Sequence, residues 1–238
     1  MLPLVGLVIL LSACSPDALE DCFLSTGPLR TKDFSFPNAP SIINVYDNID
    51  VVWHYSPTSY AKLECGRNLI SKVEFTLEAE TLSIRNRARC NWVRDYSKKM
   101  QVDLFCPHPF FFGLNGFGNF SCADTIRSNY FVIHQNGAGE SRVKLNAGYV
   151  HLRFDSYGFL QGTGKAKEAF FFKIGSGKLE TKDIEVDRLQ VILEVGDELD
   201  VMAKDSLFGE IRNKGKVYYT GNPKLKVQTP KGGKFIKR

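Results

Sequence analysis

Methionine is scarce, with 3 in 238 residues, and proline contributes only 10. Few methionines beside many aromatics and glycines argue against a helical bundle, and few prolines against collagen-like or low-complexity assemblies. No two of the six cysteines are spaced C-x-x-C, and His54, His108, His134 and His151 are scattered along the chain. Zinc-binding and thioredoxin-type patterns are therefore missing, and neither a metal site nor a cofactor is expected. Neither a G-x-S-x-G elbow nor an H-E-x-x-H helix occurs, which removes two common hydrolase signatures. Beyond residue 11 no run is long and apolar enough to span a bilayer as a helix.

What remains describes a folded chain. Hydrophobic residues make up 43% and charged ones 24%, a balance that excludes intrinsic disorder, and the length suffices for a real core. The 20 Gly, 18 Phe and 9 Tyr point to β structure with many turns. The formal charge of +5 is localised: six of the 31 basic residues lie between Asn222 and Arg238 with no acid, leaving 25 against 26 acids elsewhere, net −1. A nearly neutral body with a short basic end reads as a protected strand edge or solvated tail, so nucleic acid is not an expected partner.

The N-terminus indicates export. Leu2 to Leu11 is apolar but shorter than a ~30 Å bilayer core requires, which fits the apolar region of a signal peptide. It closes on Leu11-Ser12-Ala13-Cys14, which resembles a bacterial lipobox, so residues 1–13 are expected to be removed and Cys14 lipidated. Acyl chains on Cys14 would tether the protein to a membrane while its body stays in water. Residues 14–40 then read as the lipidated N-terminus and a polar linker, and the acidic Ser15 to Asp21 stretch favours an outer-membrane address, periplasmic or facing outward. Beyond Cys14, an odd set of cysteines remains at Cys22, Cys65, Cys90, Cys106 and Cys122. At most two disulfides can form there, and spacing does not fix the pairing.

From residue 41 the pattern is of period two. Short strands are expected at 42–45, 49–53, 61–65, 73–77, 81–84 and 101–105, where apolar and polar residues alternate between turn clusters. The second half repeats. Turn clusters such as Asn115-Gly116-Phe117-Gly118, Asn136-Gly137-Ala138-Gly139 and Gly175-Ser176-Gly177 end at positions 118, 139, 158, 177, 198, 215 and 233. A period near twenty is a solenoid signal, with corners where Gly or Asn supplies a positive φ. The expected fold is all-β, a single-stranded right-handed β-helix or β-solenoid-like stack of short strands with Gly-rich corners. It would occupy 41–236, divided into an N-terminal β part, 41–109, and solenoid repeats, 110–236. A sandwich with Gly-rich hairpins is the competing architecture.

Motifs that could carry chemistry mostly dissolve into this pattern. Each G-x-G pair is followed by another strand rather than a helix, so no dinucleotide fingerprint forms. Gly158 to Ala166 imitates a phosphate loop, but five residues separate Gly158 from Gly164, and Ala166 replaces the Ser or Thr that holds magnesium. Asp183, Asp187, Asp197 and Asp200 are candidate catalytic carboxylates of a β-helix polysaccharide enzyme, yet they fall near turns where Asp is common. Phe110-Phe111-Phe112, Phe117, Phe120, Phe170-Phe171-Phe172, Trp53 and Trp92 are either core or a binding face, with core the more usual fate.

Asp21-Cys22-Phe23-Leu24-Ser25-Thr26-Gly27, Cys90-Asn91-Trp92-Val93-Arg94-Asp95-Tyr96, the G-x-G repeats and Tyr218-Tyr219-Thr220-Gly221-Asn222-Pro223 together resemble a Bacteroidota lipoprotein family, the putative auto-transporter adhesin, head GIN domain family. The resemblance spans roughly residues 40 to 236. It implies a lipid-anchored, exported, solenoid-like protein, adhesin-like, with no catalytic residues to transfer. It also implies a disulfide between Cys22 and Cys90, with Cys65, Cys106 and Cys122 as additions of this chain. The expected function is non-enzymatic binding of an extracellular glycan, matrix component or protein. An assembly role in an envelope complex is the rival, and a carbohydrate-active enzyme the third reading.

Overall fold

The structure, a computed structural model, describes residues 25–88 and 100–238. It is almost entirely β, with 67% strand and 3% helix, wound into about seven solenoid turns. Cys14, Cys22, Cys90 and Trp92 lie outside the described residues.

The period-two segments form strands where the alternation places them: β2 (Ile42–Val45), β3 (Ile49–Tyr55), β4 (Tyr60–Gly66), β5 (Val73–Glu78), β6 (Thr81–Asn86) and β7 (Met100–Cys106). The stretch expected to be linker contributes β1 (Leu29–Ser35), which runs antiparallel to β4. The repeat region supplies β8 (Phe111–Leu114), β9 (Phe120–Cys122), β10 (Ile126–Gln135), β11 (Glu140–Phe154), β12 (Phe159–Lys173), β13 (Lys178–Leu193) and β14 (Glu198–Ile211). It ends with β15 (Lys216–Thr220), β16 (Lys224–Gln228) and β17 (Lys234–Lys237). The middle strands are not short, because each of β11 to β14 carries 14 to 16 residues through a bend.

Stacking is parallel from turn to turn, but the first turns are not in chain order. The β2–β3 turn is inserted between β6–β7 on one side and β8–β9 on the other. The first half is thus continuous with the solenoid rather than a separate layer. Antiparallel β5 and β4 pair with β6 and β7 and cover the edge of the stack at that end. At the opposite end the last strands carry Lys224, Lys226, Lys234 and Lys237, the usual charge protection of an exposed β edge, which accounts for the basic C-terminal stretch.

Inside, one column of side chains climbs through successive turns: Leu82, Ile43, Phe112, Ile133, Leu152, Phe171 and Val191 are in register, and each is fully buried. In the next turn the column continues at Gly209, where the Phe235 ring occupies the space a side chain would take. One core continuous across turns is what no single repeat could make alone.

The corners need glycine for a reason other than the expected one. None of the corner glycines Gly116, Gly118, Gly137, Gly139 or Gly158 has a positive φ. A Cβ on Gly137 would instead lie 1.8 Å from the Gly116 carbonyl oxygen, and one on Gly139 1.9 Å from that of Gly118. The glycines let stacked corners touch backbone to backbone. Asn136 also donates from Nδ2 to Asn115 Oδ1 of the turn before, at 2.9 Å.

Candidate ligand-binding face and bend groove

Because strand residues alternate across the sheet, each phenylalanine triplet is divided between inside and outside. Phe112 and Phe171 are core, as are Trp53 and Phe120, whereas Phe110, Phe111, Phe117, Phe170 and Phe172 point outward, exposed or half-buried. Register aligns the outward residues in rows. One row runs Phe111, Val132, His151, Phe170, Gln190 and Phe208; the adjacent one runs His134, Arg153, Phe172, Ile192 and Glu210.

The rings touch from turn to turn. Phe111 meets His134 edge-on at 5.1 Å, His134 meets His151 at 5.3 Å and His151 meets Phe170 at 5.1 Å, while within β12 Phe170 stacks on Phe172 at 6.0 Å. The Arg153 guanidinium lies 5.3 Å from the centre of the Phe172 ring. Burial holds the pKa of His134 below the ordinary histidine value, and the neighbouring His151 and Arg153 add to it. His151 is lowered for the same main reason, burial, with Arg153 contributing. Both imidazoles therefore favour the neutral form in this ladder.

Beside the rows the strands bend. The β10–β14 ladder passes over Asn129, Gly148, Lys167 and Asp187 in successive turns, and the inward positions change parity there. The stacked irregularities open a groove of about 770 Å³. Its floor includes Ala147, Gly148 and Ala166, and its sides carry Arg127, Asn129, Asn146, Lys165, Lys167, Glu185, Asp187 and Lys204. Tyr130 and Tyr149, which directly follow Asn129 and Gly148, stack at 5.2 Å with an interplanar angle of 4°, and Tyr130 is 49% exposed. Burial raises the Tyr149 phenol above its ordinary pKa, with Tyr130 and Glu168 adding to the effect.

A second opening, about 460 Å³, lies where β13 and β14 are not laddered together: their pairing begins only at Glu185 with Met202. The Thr181 hydroxyl instead donates to the Asp200 carbonyl at 2.9 Å. Here Lys173, fully buried, reaches Asp197 at the corner where the second glycine of the repeat is replaced.

The four candidate aspartates are not assembled into one centre. Asp187 lies 4.0 Å from Lys204 in the groove, Asp197 serves Lys173, and Asp200 pairs with Arg238 at 2.6 Å. Among the described residues no group of three or more His, Cys, Asp or Glu could hold a metal. Cys65, Cys106 and Cys122 are free and buried, and burial pushes their thiols up to about 11, about 12 and about 12 respectively. The histidines scattered in sequence are brought together as His134 and His151. Nothing in their local sequence marks the Tyr130–Tyr149 pair or the groove lysines, although the two tyrosines lie 19 residues apart, one repeat length.

The chain is thus a β-solenoid of repeated turns with an outward aromatic face and a polar groove. Residues 39–223 match the family "Putative auto-transporter adhesin, head GIN domain", and the chain belongs to that family. The fold is similar to that of a putative adhesin from Bacteroides fragilis, TM-score 0.78 at 17% identity, covering 90% of this chain and 99% of that one. A putative adhesin from Parabacteroides distasonis gives a TM-score of 0.71 at 19% identity, with the same coverage of 90% and 99%. A protein of the same organism described as a putative lipid binding protein gives 0.73 at 17% identity, again with 90% and 99% covered. No curated protein matches the chain.

Proposed function

We propose that this is a non-enzymatic binding protein of the cell envelope, tethered to the outer membrane through acylated Cys14. It engages an extracellular glycan, matrix component or protein partner through the outward face of its solenoid. The observation that carries this reading is the ladder of Phe111, His134, His151, Phe170 and Phe172 rings on one sheet face. Aromatics aligned outside a core already rich in apolar side chains are the composition of a recognition surface. The adhesin description of the family and of the Bacteroides fragilis neighbour supports an envelope location and a binding role. The Cys22–Cys90 disulfide belongs to the same proposal.

A glycan and matrix-protein array probed with protein lacking residues 1–14 tests the binding role. Binding that disappears in the Phe170→Ser, Phe208→Ser double variant is expected, and absence of any binding refutes the role. Cys14→Ala is expected to release the protein from membranes, and unchanged fractionation refutes the anchor. Non-reducing peptide mapping tests the disulfide, which fails if Cys22 and Cys90 are both alkylated without reduction. A role in envelope assembly is favoured by one specific feature, the exposed Leu225 and Val227 of β16, which stand in register with core Leu207 and with Gly209 at the last turns of the stack. Concentration-dependent association that Leu225→Lys abolishes would support it.

A further inference from the structure

We propose that the groove at the bend of β10–β14 binds a linear acidic polysaccharide, a chain of carboxylated sugars. The proposal names a ligand class for the binding role above and rests on it.

The groove crosses five consecutive parallel strands, four interstrand steps of about 4.8 Å, or roughly 19 Å, which suits several linked sugars better than one small molecule. The backbone shapes it. Ladder interruptions recur at one level in successive turns, and the floor is lined by small residues, with Ala147 and Ala166 buried and Gly148 packed so closely that a Cβ would sit 2.7 Å from the Asn129 carbonyl oxygen. A side chain at Gly148 would narrow the channel as well as strain it.

The two halves of the groove differ in charge. On β13 and β14 the carboxylates of Glu185 and Asp187 face Lys204, which bonds Glu185 directly. On β10 to β12, among the described residues, the ammonium groups of Lys165 and Lys167 meet no carboxylate within ion-pair distance, and exposed Arg127 adds a third cation. The side-chain amides of Asn129 and Asn146 form no hydrogen bond within the described residues, so their donors and acceptors are available to hydroxyl groups. The Tyr130–Tyr149 stack begins one residue beyond the lining Asn129 and Gly148, an aromatic surface of the kind on which the C–H face of a sugar ring packs.

Each part of a carboxylated sugar chain thus finds its complement: cations for carboxylates, amides for hydroxyls and tyrosine rings for sugar faces. A lipid tail finds no apolar wall in this groove. A nucleic acid would meet a body of net charge −1 and the groove's own acids, Glu185 and Asp187.

Affinity of the full chain for polygalacturonate, its fully methyl-esterified neutral form and duplex DNA is the test. Polygalacturonate is expected to bind and to weaken as salt rises, while the ester and DNA do not bind. Lys165→Gln with Lys167→Gln should weaken polygalacturonate binding by about tenfold or more, the loss of two charge-assisted contacts. Tyr130→Ala with Tyr149→Ala should weaken it while leaving the salt dependence in place. Lys224→Gln with Lys226→Gln, on the remote basic edge, should change nothing, and all variants should keep the wild-type β-sheet circular dichroism.

Equal binding of the ester, equal binding of DNA, or a loss that follows Lys224 and Lys226 instead of Lys165 and Lys167 would each overturn the proposal. If arrayed neutral glycans or proteins bind and polygalacturonate does not, the ligand class is wrong and the binding role stands. If no ligand of any kind binds, both fall.

Discussion

Lys173 occupies an inward position between Phe154 and Leu193 of neighbouring turns, a site where the stack otherwise places apolar side chains. It is fully buried, and the carboxylate of Asp197 is the one ion-pair partner of its ammonium group among the described residues. Asp197→Asn is the informative perturbation, because Asn keeps the Oδ1 that accepts the Glu198 N–H at 2.7 Å while removing the charge. Stripping one partner from a buried pair costs about 3–5 kcal/mol. The Asp197 side chain is 42% exposed, so water at the corner replaces part of what is lost, and the expected cost falls to about 2–3 kcal/mol. For a chain of this size that corresponds to a Tm lower by roughly 4–10 °C.

Lys173→Met should be within about 1 kcal/mol of wild type, since it replaces a desolvated charge with an apolar chain of similar length. In the double variant the Asp197→Asn cost should largely vanish, giving a coupling energy of about 2 kcal/mol in urea denaturation with unchanged m-values. An Asp197→Asn midpoint indistinguishable from wild type would rule out a buried ammonium that depends on Asp197. So would a Lys173→Met loss as large as that of Asp197→Asn.

The corners give a paired prediction: Gly137→Ala should cost about 2–3 kcal/mol by forcing stacked backbones apart. Gly196→Ala, with open space where its Cβ would stand, should be neutral or stabilise by about 0.5 kcal/mol, and thermal melts compare the two. Cys65, Cys106 and Cys122 should resist a thiol reagent at pH 8 in the native protein and react after denaturation, read by mass spectrometry of the labelled peptides. His134 and His151 have folded pKa values below those of the unfolded chain, so unfolding takes up protons as pH falls through the unfolded value near 6.5. Stability should therefore be highest above about pH 7 and decline below it, and His134→Gln with His151→Gln should flatten the profile of denaturation midpoint against pH.

Much of this fold is legible along the chain. Alternation at Ile42–Val45, Thr81–Ile84 and Gln101–Phe105 depends only on which face each side chain takes, a property local to one strand, and the strands lie there. The turn clusters likewise repeat at the period of one solenoid turn, because every turn must supply the same corner. The role of the corner glycines is not local: whether Gly137 is required by its own φ or by the Gly116 carbonyl above it depends on the neighbouring turn.

The candidate site divides in the same way. The phenylalanine triplets announce aromatic density, but only the register between turns decides that Phe171 enters the core while Phe170 and Phe172 join His151 outside. Lys165 and Lys167 look like ordinary polar positions of an alternating strand, and the interrupted ladder at the bend places them over a floor of small residues. By itself the sequence determined the all-β class, the repeat and the basic edge, since these follow from composition and spacing within single turns. The tertiary structure alone decided the insertion of β2–β3 between later strands, the groove and the Lys173–Asp197 pair, because each arises from contacts between turns that the spacing of residues does not encode.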